Sequence, residues 1–585
     1  MKSIRRITAM ALLSLLAVTA TAIPAKREWR IVTQPDGTRL EVMLVGDENY
    51  HYFITRENVA LIEQKGVYYY AEVADRQLVP TNIIAQSGSM KEAIAQQKGY
   101  ATAARAKALR PYYMRKAPKH IGERVHETYT GKKKGLIILV EFPDTRFLDI
   151  TEGGDSLDVN RRYQALANEK GYSEDAAFGS VHDYFLAQSY GKFDLTFDVV
   201  GPVMAKNDHS YYGEDVGNAS GNDLKVIELL QEMCSAVDSM VDFTQYDWNQ
   251  NGEVEEVFLL YAGKGQATGG GSTTIWPHMW SLKEAMDMNF IDSLPQHDGV
   301  KINVYACSNE LYKDEIRMGI GVICHEFSHC LGLPDVYDTG YGGNAGLGDW
   351  DLMASGSYNG PLGIGWNPAA YTAYERNYAG WLDFTELKDS GTFKDIKPVT
   401  EEPTAFVMRN DGHADEYYVL EHRTQTGWDK YVPGSGLLIY HVDYNEAEWM
   451  KNSVNAVEND DDHERMAIVR ASGYSYDFGD AYPYQGNNSF TDNSSPAIKL
   501  HNPNTDGTYK LRKGVTDITQ ESDGTMSFVF VNSSQQTSIS DLAQPESGMV
   551  EVYDLSGRRV KTDAQPSGVS IVRDAQGKVY KRILR

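Results

Sequence analysis

Short segments in which apolar and polar residues alternate dominate the first hundred residues of the chain. Residues 40–44 and 67–73 alternate as half-buried strands do, and turn signals at 35–37 and 46–47 separate segments of this kind. The stretch at 90–109 is rich in Ala, Lys and Gln and favours a helix. The pattern predicts a small β-rich unit followed by helix at the start of the chain.

The pattern changes at residues 135–141, an uninterrupted apolar strand that opens a new unit. From there to residue 385 or so, helical and strand patterns alternate, as in an α/β or α+β enzyme domain. The next stretch has short strands with Gly, Asn and Asp turns, ends near 528–531 and favours a β-sandwich-like unit. A polar stretch at 532–544 precedes a last small β unit, so we expect a multidomain α+β protein.

The N-terminus has the pattern of an export signal. Three basic residues precede an apolar run at 7–18, and Ala-Thr-Ala follows at 20–22. A basic start, an apolar run too short to cross a bilayer and a small-residue cleavage site are typical of a secretory signal peptide. A buried N-terminal helix is the alternative. We therefore expect removal of residues 1–22 on export, a secreted or cell-surface protein, and no transmembrane segment in the remainder.

The strongly negative net charge of the chain limits the kinds of molecule it can bind. The formal net charge of −25 leaves no basic face to offset repulsion from phosphates, which excludes a nucleic-acid role. It suits an extracellular protein that binds calcium. The exception is the stretch 105–134, where ten Lys or Arg stand against two Glu. We interpret it as an exposed, protease-sensitive linker, with a solvated helix face as the alternative.

Two histidines four residues apart form the strongest chemical motif. His325 and His329 enclose Glu326 and follow an apolar run at 318–324. On a helix, residues four apart lie on one face, so both imidazoles can reach one cation while Glu326 holds a metal-bound water. This is a ligand pattern of catalytic zinc, which needs a third protein ligand and one open position.

The third ligand can come from either of two places. Gly332 breaks the helix soon after the second histidine, and Asp335 follows ten residues after the first. This spacing makes Asp335 the predicted zinc ligand. Glu375, on a later helical stretch, is the alternative.

Met353 lies in a Gly-rich turn at 348–356, soon after the histidine helix. Such a turn is similar to the Met-turn beneath the zinc of metzincins. On its own the turn would more often serve packing. Together with the histidine motif and the Gly-x-Pro-Asp that follows it, the turn predicts a zinc peptidase.

A second cation site, for structural Ca²⁺, is predicted at residues 247–255. The expected ligands are the side chains of Asp247, Asn249, Asn251 and Glu255 and the backbone carbonyl of Glu253. Gly252 supplies the sharp turn, but Phe258 stands where an EF-hand has its closing Glu. An Asx-rich turn without metal is the alternative.

The four cysteines do not form a disulfide framework. Cys324 and Cys330 would lie about 9 Å apart along a helix, too far for a bridge. Any disulfide must therefore involve Cys234 or Cys307.

At these motifs the chain resembles the immune inhibitor A-type secreted metallopeptidases, a metzincin-like bacterial family. Similar segments outside the zinc motif lie at 46–51, 180–193, 246–255, 275–278, 416–423 and 434–443. The resemblance implies zinc on His325, His329 and Asp335. It also implies Glu326 as general base and an N-terminal pro-segment.

The last residues carry a separate resemblance. The segment 550–585 is similar to the C-terminal sorting domain of Bacteroidetes type IX secretion, through Val-Tyr-Asp-Leu-Ser-Gly-Arg-Arg-Val at 552–560 and Gly-Lys-Val-Tyr-Lys at 577–581. It departs from that pattern at 568–572, where Gly-x-Tyr is more usual. The resemblance implies the secretion machinery as a partner.

The expected units are a signal peptide at 1–22, a β-rich propeptide with basic linker at 23–129, a metzincin-like catalytic domain at 130–388, a β-sandwich-like domain at 389–532 and a small C-terminal β domain at 545–585. We expect a secreted zinc-dependent endopeptidase that hydrolyses protein substrates and is made as a zymogen. A zinc amidase and a non-proteolytic surface adhesin are the alternatives.

Two further roles stay open from the sequence. Tyr358 and His278 are candidates for the donor that stabilises the oxyanion, although packing is the commoner role for each. The propeptide region contains no cysteine, so latency needs a carboxylate, an imidazole or steric cover. Asp47, Glu48 and His51 are the suggestive cluster, with a solvated turn as the alternative.

Overall fold

The computed structural model is a multidomain α+β protein with many strands and few helices. It describes residues 23–48, 50–86, 90–109, 129–214, 223–340, 344–456, 463–474, 479–533, 551–554, 558–560, 568–573 and 579–584. The expected signal peptide and residues 110–128 of the expected linker lie outside the described residues.

The N-terminal unit is one antiparallel sheet. Its strands are β1 (Arg30–Thr33), β2 (Arg39–Gly46), β3 (His51–Thr55), β4 (Ala60–Gln64), β5 (Val67–Ala74) and β6 (Gln77–Ile84), and they pair in chain order. Along β2 the alternate side chains Leu40, Val42 and Leu44 are buried. This period of two is typical of a sheet with one covered face, as the sequence pattern predicts.

The prediction of one helical stretch at 90–109 is wrong. Two short helices form instead, α1 (Glu92–Gln97) and α2 (Ala103–Lys107). Between them Gly99 adopts a φ of 81°, and Tyr100 forms a β-bridge to strand β5. Pairing with the sheet therefore overrides the helix propensity of the intervening residues.

A mixed sheet forms the centre of the next unit. Its strands are β7 (Gly131–Glu141), β8 (Phe193–Met204), β10 (Val257–Lys264), β11 (His278–Ser281), β14 (Val304–Lys313) and β15 (Ile316–Arg317). Their order is β11-β14-β10-β7-β8, with β15 paired to β14. Strands β14, β10, β7 and β8 run parallel, whereas the edge strand β11 is antiparallel to β14.

Residues 135–141 of strand β7 are buried on both faces, which explains the apolar sequence of this part of the strand. Leu136, Ile138 and Val140 pack in one hydrophobic core, and Ile137 and Leu139 pack in another. Alternate side chains of a strand point to opposite faces, so the two cores lie on the two sides of the sheet.

The basic stretch 105–134 begins within helix α2 and ends within strand β7. Residues 132–134 belong to β7 and pair with 194–196 of β8, and α2 includes Arg105 and Lys107. The excess of basic residues is therefore not confined to the segment that connects α2 to β7.

The remaining helices range from 4 to 13 residues. They are α3 (Leu148–Thr151), α4 (Ser156–Asn168), α5 (Val181–Gln188), α6 (His209–Tyr212), α7 (Val226–Val237), α8 (Leu282–Asp287), α9 (Gly321–Cys330), α10 (Ala373–Tyr378) and α11 (Glu446–Met450). Capping boxes begin α4 at Asp155 and α5 at Ser180. A small sheet joins β9 (Glu253–Val254), β12 (Gln296–His297) and β13 (Val300–Ile302).

Two sheets pack face to face after residue 384. Their strands are β16 (Thr385–Glu386), β17 (Gly391–Ile396), β18 (Ala405–Asn410), β19 (His413–Arg423), β20 (Gly436–Asp443), β21 (Met466–Ile468), β22 (Lys513–Gln520) and β23 (Met526–Asn532). One sheet has the order β16-β18-β19-β20-β21 and the other β17-β23-β22. Phe406 of the first meets Phe528 of the second edge-on, with ring centroids 5.3 Å apart. We refer to residues 384–533 as the two-sheet unit.

The C-terminal residues form a further antiparallel sheet. Its strands are β24 (Glu551–Tyr553), β25 (Arg559–Val560), β26 (Gly568–Arg573) and β27 (Val579–Leu584), in the order β25-β24-β26-β27. Its resemblance to a sorting domain stays a prediction.

Among the described residues, no helix has the length and apolar character needed to cross a membrane. The four cysteines, Cys234, Cys307, Cys324 and Cys330, are all free thiols.

Helix α9 begins against the backbone of a neighbouring turn. A Cβ atom on Gly321 would lie 1.8 Å from Ser357 O and 3.0 Å from the Cα atom of Gly365. Gly321 N also donates a hydrogen bond to Gly365 O over 2.9 Å. Only glycine fits at this position without a shift of the helix or the turn.

Gly321→Ala should therefore lower the free energy of unfolding by about 1–3 kcal/mol, the usual penalty of overpacking. Denaturant-induced unfolding of the two purified proteins measures the difference. Gly391→Ala is a matched control because a Cβ atom there meets nothing nearer than 3.9 Å. An unchanged midpoint for Gly321→Ala would contradict the close contact.

Candidate metal centre

Helix α9 directs two imidazoles to one point. His325 and His329 are buried, and their ring centroids lie 5.0 Å apart. The Nδ1 atom of His325 is 2.8 Å from Leu352 O, and that of His329 is 2.7 Å from Leu333 O. Donation from Nδ1 to these carbonyls leaves Nε2 of each ring as an acceptor. Burial lowers the pKa of His329 to about 4, which favours the neutral ring.

Asp335 reaches the same point from the chain that follows the helix. Gly332, with a φ of 88°, turns the backbone after α9. Asp335 Oδ1 lies 3.1 Å from His325 Nε2 and 3.6 Å from His329 Nε2. Ligands about 2.0–2.2 Å from a tetrahedral zinc stand about 3.3 Å from each other, so these separations suit one ion.

The hydrogen bonding of the donor atoms is consistent with a bound metal ion. Within the described ranges, Nε2 of His325, Nε2 of His329 and Oδ1 of Asp335 are buried without a hydrogen-bond partner. Buried polar atoms in folded proteins are almost always paired or bound to an ion. Two imidazoles and one carboxylate form a donor set that suits zinc and leaves a coordination position open. His325, Glu326 and His329 also form the one group of three or more potential ligands found in the described part of the chain.

The carboxylate of Asp335 is held from its other side. Its Oδ2 accepts a hydrogen bond from Asn452 Nδ2 at 2.5 Å, and its backbone N–H donates to Asn452 Oδ1 at 2.6 Å. Burial acts to raise the pKa of Asp335, but His329, His325 and Asn452 outweigh it and hold the pKa below its ordinary value. Asp335 is therefore an ionised carboxylate with one oxygen directed at the histidines.

Glu326 lies beside this group and is fully buried. Its Oε1 accepts a hydrogen bond from Ile23 N at 3.1 Å. Burial raises the pKa of Glu326 well above its ordinary value, and the charge of Asp335 adds to that effect. A carboxyl group in this setting can accept and return a proton.

Met353 lies in the hydrophobic core that also contains apolar residues of helix α9. It is fully buried, and Val336 N donates to Met353 O over 3.0 Å. The preceding residue, Leu352, supplies the carbonyl that orients His325. The turn thus positions two of the candidate ligands, His325 directly and Asp335 through its neighbour Val336.

The first described residues of the chain contact Glu326, Trp276 and Tyr358. We refer to the region around these three side chains as the cleft. Trp276 Nε1 donates to Ile23 O over 3.1 Å, and Tyr358 Oη donates to Pro24 O over 3.0 Å. Lys26 N donates to Ala267 O over 3.0 Å. This segment therefore binds through its backbone beside Glu326.

The acidic turn of the N-terminal sheet lies close to the same cleft. His51 stacks on Trp276 with ring centroids 4.8 Å apart, and its Nε2 is 2.9 Å from Gln266 Nε2. The charge of Glu48 contributes to the raised pKa of Glu326. Asp47 Oδ1 accepts from Tyr50 N within its own turn.

The two candidate oxyanion donors differ in their surroundings. Tyr358 donates to a peptide carbonyl in the cleft, as described above. His278 has both ring nitrogens engaged in the sheet, with Nδ1 2.6 Å from Trp276 O and Nε2 2.8 Å from Tyr305 Oη. The geometry favours Tyr358 over His278 for this role.

Glu375, the alternative ligand, lies in the first turn of helix α10. Its Oε2 accepts from Thr372 N at 2.6 Å and from Thr372 Oγ1 at 2.5 Å, which completes a capping box. Its side chain thus serves the start of its own helix.

The predicted calcium loop has its polar side chains turned to its own backbone. Asp247 accepts from Asn251 N and Gly252 N, and Asn249 also accepts from Asn251 N. Asn251 accepts from the N–H of Glu253, whose carboxylate pairs with Lys283 over 3.0 Å. These are the contacts of an Asx-rich turn, and calcium binding stays a prediction.

Sequence reasoning missed Asn452 and Trp276. Asn452 contacts Asp335 across 117 residues, and Trp276 contacts Ile23 across 253. Neither residue belongs to a short motif that predicts such a contact.

Part of the chain is similar to known proteins. Residues 123–381 match the model of the immune inhibitor A peptidase M6 catalytic domain. The pre-pro-metalloprotease PrtV of Vibrio cholerae serotype O1 (strain M66-2) is 27% identical over 322 residues, covering 48% of this chain and 34% of that protein. Immune inhibitor A of Bacillus thuringiensis subsp. alesti is 27% identical over 301 residues, covering 45% of this chain and 43% of that protein.

The chain therefore spans less than half the length of the curated relatives it matches. The comparisons support a metalloendopeptidase, because residues 123–381 are similar to the immune inhibitor A peptidase M6 catalytic domain.

Proposed function

We propose that this protein is an exported zinc-dependent endopeptidase that hydrolyses protein substrates with Glu326 as general base. One observation carries the proposal: three buried ligand atoms converge beside a buried carboxylate, and each lacks a hydrogen-bond partner within the described residues. His325, His329 and Asp335 would hold the ion. When bound, zinc would act as a Lewis acid and lower the pKa of a water molecule at this site.

Three residues around the ion have separate roles in proton transfer and in binding the substrate. Glu326 takes the proton of the attacking water and returns it to the leaving amine, a role that its raised pKa suits. Tyr358 donates to the oxygen of the scissile carbonyl, as its hydroxyl donates to Pro24 O. Trp276 fixes a neighbouring peptide group through its indole N–H, as it does with Ile23 O.

Glu326→Ala should abolish hydrolysis of casein while zinc stays bound, because Glu326 moves a proton and is not a ligand. Zymography of wild type and variant, with metal content measured on the same samples, checks this. Chelation of the wild type is the control and should remove the same activity. Loss of zinc from the variant would overturn the assigned role. A wild type that is cut within residues 108–130 and still lacks casein hydrolysis would favour the amidase or the adhesin.

Asp335→Ala should lower zinc affinity sharply, whereas Glu375→Ala should leave metal content intact. The reason is the 3.1 Å separation between Asp335 Oδ1 and His325 Nε2, against the capping role of Glu375. Competition with a chromophoric chelator measures both. If Glu375→Ala lost zinc and Asp335→Ala retained it, the third ligand would be Glu375 on the later helix.

The same proposal includes latency imposed by the propeptide. Backbone groups of Ile23, Pro24 and Lys26 bind to Glu326, Trp276, Tyr358 and Ala267, where a substrate peptide has to bind. Steric cover of the cleft is therefore the favoured option among those open to a propeptide without cysteine. Export through a signal peptide, the role of the C-terminal sheet in secretion and the calcium ion remain parts of the proposal.

Cleavage between α2 and β7, within residues 108–130, should convert a weakly active zymogen into the active enzyme, because it separates the cleft-binding segment from the catalytic domain. Hydrolysis of a quenched fluorescent peptide by intact and cleaved protein measures the gain. Glu326→Ala, cut in the same way, is the control for contaminating protease. Equal rates for intact and cleaved protein would contradict latency and leave the zinc assignment untouched.

A further inference from the structure

The two-sheet unit supplies a residue to the metal centre. Asn452 follows helix α11 between strands β20 and β21, outside the region that matches the peptidase family. Its side chain nevertheless makes two hydrogen bonds to Asp335, one with Oδ2 and one with the backbone N–H. We infer that Asn452 is a positioning residue, which orients Asp335 for zinc from a neighbouring structural unit.

The two bonds settle the orientation of the amide. An amide offers an acceptor oxygen and a donor NH₂ group, and here the oxygen faces an N–H while the NH₂ faces a carboxylate. A flipped amide would bring donor to donor and acceptor to acceptor. Because Nδ2 holds Oδ2 of Asp335, the other oxygen, Oδ1, is turned to His325 and His329.

Local sequence fixes Asn452 in its place. Helix α11 ends at Met450, and the N–H of Asn452 donates to Trp449 O while that of Ser453 donates to Glu448 O. These are the two bonds of a Schellman motif, in which the residue after the cap is left-handed. Asn452 has a φ of 54°, a conformation that asparagine tolerates better than most residues.

The surrounding contacts make the placement rigid. Asn452 is 2% exposed, and its carbonyl accepts from Thr339 Oγ1 over 2.9 Å. Asn455, three residues later, donates to Val336 O over 2.7 Å and accepts from Met466 N. The chain that follows Asp335 is thus attached to the same loop of the two-sheet unit.

This arrangement has a consequence for metal affinity. A ligand carboxylate that is held by an outer hydrogen bond is preorganised, and loss of such a partner usually weakens metal binding by about 10–100-fold. The inference rests on the proposed role of Asp335 as a ligand. It adds that the peptidase-like region alone does not contain every group that shapes the metal centre.

The test uses the full chain with Asn452→Asp, which keeps the size of the side chain but replaces the donor with a second carboxylate. Zinc affinity, measured by competition with a chromophoric chelator, should fall by about 10–100-fold. The visible absorption spectrum of the cobalt-substituted protein should also change, because the carboxylate is free to reorient. Asn452→Gly, which fits the left-handed backbone, carries the same expectation and serves if the first variant fails to fold.

Asn344→Ala is the matched control. Asn344 Nδ2 donates to Asn455 O over 2.9 Å, so this variant removes an amide contact between the same two segments without touching Asp335. It should leave zinc affinity and the cobalt spectrum unchanged. Wild-type affinity in both Asn452 variants, with Asp335→Ala weakened, would overturn the positioning role alone. Wild-type affinity in Asp335→Ala would overturn the ligand assignment and, with it, this inference.

Discussion

The candidate metal centre depends on keeping the buried donor atoms of its proposed ligands directed at a single point. Buried imidazole and carboxylate groups are unfavourable unless each polar atom has a partner. At this site one atom of each group is bound by the protein: backbone carbonyls of Leu352 and Leu333 hold the two histidines, and Asn452 holds Asp335. The second atom of each group is thereby left for a cation. Three separate chain segments must be in place before the ligands can converge.

A buried charge network keeps one of these segments in place. Arg423 of strand β19 is fully buried between Glu421 and Asp429, and it donates to the backbone carbonyl of Trp350, within the turn at 348–356 that contains Met353. The two carboxylates raise its pKa above the ordinary value, against the effect of burial. Breaking such a buried pair usually costs about 3–5 kcal/mol, because an uncompensated charge remains. The two-sheet unit is therefore hydrogen-bonded to the region that matches the peptidase family at the turn as well as at Asp335.

Local spacing explains how much of the site could be predicted from the sequence. His325, Glu326, His329 and Asp335 lie within one helix and the turn after it, so their positions follow from helix geometry and from the glycine at 332. The buried strand β7 was predictable for the same reason, since a run of apolar residues suits a strand covered on both faces. The expected helix at 90–109 failed where pairing with a distant strand competed with local propensity.

Contacts between distant residues could not be predicted in this way. Ile23 reaches Glu326 across 303 residues, and Asn452 reaches Asp335 across 117. A lone asparagine after a helix is a common C-terminal cap, and nothing in its local sequence indicates which loop it will contact. Such pairings arise from the packing of whole units, which a single sequence does not display.

The two distant segments approach different parts of the site, and this difference bears on activation. Contacts of the N-terminal segment are with Glu326, Trp276 and Tyr358, the groups proposed to act on a substrate peptide. The described side-chain contacts of the two-sheet unit with the centre are instead with Asp335, a proposed ligand. Departure of the N-terminal segment would open the cleft and free the carboxylate of Glu326. It would leave the hydrogen bonds that orient the ligands as they are, so latency and metal retention can be controlled separately in one chain.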